Sequence, residues 1–147
     1  MSEIENDIEV VESGYEFLLA YAAQGRPPQD ESGTGPHPRP TLEDMVKSMD
    51  NLANALKDLD GDFEQIIVAD MGRASAVVNF ILSQPKIGSE IIDNLNASNH
   101  LRTVLTDLFV YSEALRPSSL EDTTNAESGD SSSGEKEDSN KGFYPAA

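Results

Sequence analysis

Glu5, Glu9, Glu12 and Glu16 recur at steps of four, three and four, the spacing that aligns side chains along one face of a helix. Such a row by itself names no reaction. What it offers is concentrated negative charge, suited to a basic protein surface. Like charges at i, i+4 repel by a few tenths of a kcal/mol per pair, and no Lys or Arg appears before Arg26 to relieve them. The row reads as a solvated face favoured by the positive end of the helix dipole, or as a contact surface for a basic partner. These four glutamates are the candidate partner-binding residues, together with Phe143 and Tyr144, an aromatic pair near the chain end in the stretch GFYPAA. A tethered aromatic pair can insert into a partner's pocket.

Other carboxylates fail the chemistry they invite. The run DLDGDFE places Asp58, Asp60, Asp62 and Glu64 at alternate positions, as a calcium loop would. A loop starting at Asp58 needs Gly where Phe63 stands and Glu where Ala69 stands; one starting at Asp60 meets Gln65 and Met71 there. The run therefore reads as an acidic inter-helix turn and cap. A carboxylate-bridged di-metal centre needs Glu-x-x-His pairs, and the two histidines, His37 and His100, do not follow a Glu by three. Asp70 and Arg73 can pair at i, i+3. A carboxylate enzyme on this chain would have to bring residues such as Glu16, Asp70 and Asp107 together in a buried cavity. Phosphate loops, nucleophile elbows and dinucleotide fingerprints do not occur. The expectation is no catalytic residue, no metal and no cofactor.

The 147 residues carry 10 Lys plus Arg against 27 Asp plus Glu, a net charge of −17, and no cysteine. That balance argues against direct binding of nucleic acid or an anionic membrane and points to basic surfaces as partners. Both parts of the chain contribute: 8 basic and 20 acidic residues up to Arg116, 2 and 7 beyond it. The acidic start MSEIE is unlike a signal peptide. The most apolar stretch, 66–82, is interrupted by Asp70, Gly72, Arg73 and Asn79, a poor membrane span. A cytoplasmic protein is expected.

Positioning these groups requires helices. Ile4, Ile8, Val11, Tyr15, Leu18 and Ala22 form a seam at steps of four and three, in a helix that should end near Gln24. Residues 25–40, GRPPQDESGTGPHPRP, hold five prolines and three glycines and read as an irregular, mobile loop. Thr41 should cap a second helix with its seam at Met45, Met49, Leu52, Leu56 and Leu59. A third segment, capped by Asp60 or Asp62 and apolar on most sides, is the candidate central helix. Within it QIIVA, residues 65–69, has strand propensity, but length favours helix. Gly72 in that segment costs about 1 kcal/mol relative to Ala, so a close helix–helix approach is expected there. Ser89 should cap a short helix to Asn96, and Ser98 or Asn99 a last one with its seam at Leu101, Val104, Leu108, Tyr111 and Leu115.

The fold class read from these patterns is all-α: a compact bundle of four to five helices over residues 1–116. A disordered, acidic, Ser-rich tail is expected over 117–147, since it has too little apolar surface to offset the ordering entropy. Ser131, Ser132 and Ser133 in it are possible phosphate acceptors. The functional expectation is a non-enzymatic accessory, adaptor or assembly protein acting through helix surfaces and the tail. Its partner would be a protein, possibly with a basic surface, and a homodimer can form through the heptad seams. The alternatives are an acidic nucleic-acid mimic that inhibits a basic DNA-binding protein, and the carboxylate enzyme.

Overall fold

Ser2 and Glu5 start the first helix by capping each other: the Ser2 hydroxyl accepts from Glu5 N–H (3.1 Å), and Glu5 Oε1 accepts from Ser2 N–H (3.2 Å). In this computed structural model, which describes residues 2–28, 33 and 35–115, α1 spans Glu3–Ala23. Gln24 caps it, and Gly25 follows at φ 65°, the left-handed turn that frees the chain from the helix. Four more helices follow: α2 Pro38–Leu56, α3 Asp62–Leu82, α4 Ser89–Ala97 and α5 Asn99–Leu115. The fold is all-α, and residues 65–69 lie inside α3. The expected tail, with Phe143 and Tyr144, lies outside the described residues. The compact unit is Met1–Ser112; Glu113 and the residues after it belong to a second unit.

Side-chain contacts fix the directions. Asn51 donates to Asp7 (3.4 Å) and Met45 packs on Gly14, so α1 and α2 are antiparallel. The α2–α3 pair is tied at both ends. Gln65 Nε2 donates to the carbonyls of Lys57 (3.0 Å) and Leu59 (2.7 Å), while the Arg39 guanidinium donates to those of Leu82 (2.7 Å) and Gln84 (2.8 Å). These bonds satisfy carbonyls that two helix C-termini leave open. The Asn96 side chain donates to the Leu18 carbonyl and the Ser89 hydroxyl to that of Tyr21, laying α4 antiparallel on α1. Phe63 meets Tyr111 edge to face, and Asp70 meets Asp107, laying α5 antiparallel on α3. The result is an up-down-up-down bundle whose fourth leg is broken at Ser98, where ψ is 146°.

The seams form the core. Ile8, Val11 and Leu18 meet Met45, Met49, Leu52, Leu56, Ile67, Val78, Leu101, Val104 and Leu108, all buried, while Ile4, Tyr15 and Ala22 pack at its edge. Leu59 falls past the end of α2 and is exposed.

Three expectations need correction. First, helix starts differ: α2 starts at Pro38, with His37 as the N-cap residue, rather than at Thr41, so residues 38–40 of the expected loop are helical, and the N-cap residues of α3 and α4 are Gly61 and Gly88 rather than Asp60 or Asp62 and Ser89. Prolines at the first and third helical positions lack only N–H groups that the first turn leaves unpaired anyway. Second, α3 is not enclosed: it buries Ile67, Met71, Ala74, Ser75, Val78 and Ile81 but leaves Ile66 and Phe80 exposed. It is long and apolar enough to cross a bilayer by length and composition alone, yet here it is a bundle helix with one face in the core.

The third correction concerns Gly72, which marks no contact within the chain. It is exposed, and a Cβ there would meet nothing within 4 Å. The glycine at a close helix approach is Gly14, buried on α1, where a Cβ would lie 2.6 Å from Met45 Cγ. Gly72→Ala is therefore expected to stabilise the single chain, at concentrations where it is monomeric, by about 0.5–1 kcal/mol through helix propensity. A higher urea midpoint at unchanged m-value is the readout; a lower one would mean that the space beside Gly72 is filled.

Candidate functional site

The four glutamates of α1 do not form one free row. Glu5 closes the capping box. Glu12 is half-buried and engaged. Glu9 and Glu16, seven residues apart, are exposed to solvent. The charge on this face is thus thinner than the spacing alone implies.

Two other carboxylates do come together. Asp70, on α3, pairs with Arg73 (3.0 Å), and its side chain is 15% exposed. Facing it from α5 is Asp107, close enough for the two carboxyl groups to interact. Its Oδ2 is buried and has no hydrogen-bond partner in the fold. Burial, then the hydrogen bond to Asp70 and the Asp70 charge, push the Asp107 carboxyl up from an ordinary 3.8 to about 7. A second charge beside the Asp70 carboxylate is costly, so Asp107 is the group that keeps its proton. One turn along the seam Tyr111 donates to Glu64 Oε2 (3.1 Å), and burial followed by that glutamate raises the phenol above its usual range.

A protonated carboxyl facing a second carboxyl group is the arrangement of an acid–base dyad, but a substrate also needs room beside it. The four clefts found among the described residues lie elsewhere. One of about 630 Å³ runs between the end of α1, the loop after it and α4, lined by Leu19, Arg26, Glu90, Asp93 and Asn96 among others. Asn96 Oδ1 is buried there without a partner. Glu16 lies on α1 and does not join Asp70 and Asp107. Among the described residues no three His, Asp or Glu side chains are grouped to hold a metal ion. His37 Nε2 sits 2.9 Å from the Gly33 carbonyl, and His100 is exposed in the first turn of α5.

The remaining surface feature is apolar. On α3, Phe80 is 65% and Ile66 53% exposed; on α5, Val110 is 55% and Phe109 53% exposed. Scattered exposed apolar residues are ordinary. Four large ones on the outer faces of two packed helices form a candidate contact surface. Their exposure depends on which faces α3 and α5 turn to the core, which the sequence pattern left open because both sides of α3 are apolar.

Comparison with protein-family models, curated proteins and solved structures returns no match.

Proposed function

We propose that this chain is a non-enzymatic accessory, adaptor or assembly protein that acts through protein–protein contacts of its outer helix faces. The observation that carries this reading is the exposure of Phe80, Ile66, Val110 and Phe109 on a chain of net charge −17. Aromatic and aliphatic groups held at the surface of rigid helices lose little entropy on binding and supply the anchors of an interface. The charged remainder keeps the molecule soluble around them.

Affinity capture with the full chain tests it. A Phe109→Ser, Val110→Ser variant is expected to lose its protein partner while keeping its helical content by circular dichroism. Capture that survives this variant and is instead lost in Phe143→Ala, Tyr144→Ala would move recognition to the chain end.

A second reading, an acidic mimic that occupies a basic nucleic-acid-binding cleft, draws support from the net charge and from exposed Glu9 and Glu16. The two readings differ in salt response. A partner held by apolar anchors is expected to stay bound when salt is raised several-fold. A mimic would release its partner over the same range, because exposed charge pairs are screened.

A further inference from the structure

We propose that the outer face of α3 is a homodimer contact, on which a second copy of this chain seats its own α3 in antiparallel orientation. This deepens, and rests on, the reading of the outer helix faces as contact surfaces.

The face has a pattern of its own. Ile66, Ala69, Arg73, Ala76 and Phe80 follow one another at steps of three and four, with Gly72 beside them, and all are exposed. They lie opposite the core stripe of Ile67, Met71, Ala74, Val78 and Ile81. Large residues stand at the two ends and small ones between. A two-fold axis passing near residues 72 and 73 therefore brings Ile66 of each copy against Phe80 of the other. The same axis brings Ala69 against Ala76, and the small residues allow the helix axes to approach to about 8 Å. Gly72 gains a reason that the single chain does not provide. It costs helix propensity where its neighbourhood is empty, and at a crossing it lets two backbones come close.

Charge selects the occupant. Between Ile66 and Phe80 the only charged residues are Asp70 and Arg73, which neutralise each other at 3.0 Å. The chain as a whole carries −17, so two copies repel each other through most of their surfaces and can meet through a neutral one. A basic partner is drawn instead to the acidic surface elsewhere.

Light scattering on the full chain, from low to high micromolar concentration, is expected to show a mass rising from one chain to two. Association should tighten with added salt, because salt screens the repulsion between copies. Ile66→Ser with Phe80→Ser removes four large side chains per dimer and is expected to weaken association at least about a hundredfold. Val10→Ser, at an exposed position on α1, should leave it unchanged. The chain has no cysteine, so Gly72→Cys reports the axis directly: it should form a disulfide-linked dimer on mild oxidation, whereas Asp93→Cys on α4 should not. A monomer at all concentrations, or a dimer undiminished in the Ile66, Phe80 variant, overturns the proposal. Neither result bears on partner capture through Phe109 and Val110, whose loss or survival decides the broader reading separately.

Discussion

Gly88→Ala is expected to destabilise the fold by about 2–4 kcal/mol, the cost of forcing atoms into a site with no room to yield. A Cβ at Gly88 would stand 2.6 Å from Pro28 N, 2.8 Å from Pro27 C and 2.9 Å from Arg26 O. These are backbone atoms, so no side chain can swing aside. The backbone at Gly88 is extended, φ −115° and ψ −174°, a conformation open to any residue, so space alone requires glycine. Displacing the loop would break a set of contacts that hold α4 on α1. Ser89 N–H donates to the Arg26 carbonyl, Arg26 N–H to the Ser89 hydroxyl, and that hydroxyl to the Tyr21 carbonyl, each at 2.8 Å. The same chemical change at Gly72 is expected to stabilise the dilute, monomeric chain, which makes the pair an internal control in one urea titration. A Gly88→Ala variant as stable as the parent would mean that residues 26–28 do not rest on the start of α4.

These two glycines show where sequence reading succeeds and where it stops. Element existence was legible because it is local. Steps of three and four along α1, α2 and α5 predict the residues that reach the core, and the breakers Gly25, Gly61 and Pro85 predict the gaps. Close approach is not local. Whether Gly14, Gly72 or Gly88 faces a neighbour depends on the register of one helix against another, and nothing in either segment encodes it alone. The start of α2 was missed for a different reason. Thr41 and Asp44 look like a cap, but Pro38 at the first helical position had equal claim, with φ already set for a helix. The reach of α3 into solvent was hidden by its composition, because apolar residues on both faces read as burial on both.

The site residues divide along the same line. The fate of Glu5 was readable, since Ser2 and Glu5 are the S-x-x-E signature of a capping box, and recognising it would have shortened the acidic row at once. The sequence names Glu16, Asp70 and Asp107 together as carboxylates that an enzyme would have to bring into one cavity, but not which of them meet. The meeting of Asp70 and Asp107 depends on α5 packing antiparallel to α3 so that Tyr111 reaches Phe63 and Glu64. With that register set, the pair follows one turn further on.

Asp107→Asn is expected to remove a pH dependence of stability that the parent chain carries between about pH 4 and 7. In the folded chain Asp107 holds its proton up to about pH 7, whereas an unfolded aspartate releases it at 3.8. Between those values the folded state binds the extra proton, so this contribution to stability is complete below about pH 4 and is lost as pH rises through 7. Above pH 7 two carboxylates face each other across the α3–α5 seam, and Arg73, paired to Asp70, offsets them in part. Asparagine keeps a donor toward Asp70 at every pH and carries no charge. The variant should therefore match the parent near pH 4 and exceed it by about 1–2 kcal/mol at pH 8.5. Solvent reaches part of the seam and screens the pair, which keeps that gap below what a dry dyad would give. The net charge of −17 also destabilises the fold as pH rises, so the diagnostic quantity is the difference between variant and parent rather than either curve alone. Amide exchange of α5 gives a local reading of the same event, slower in the variant than in the parent at pH 8.5 once corrected for intrinsic rates. A gap between the two proteins that stays constant from pH 4 to 8.5 would mean that Asp107 does not hold its proton in the folded chain.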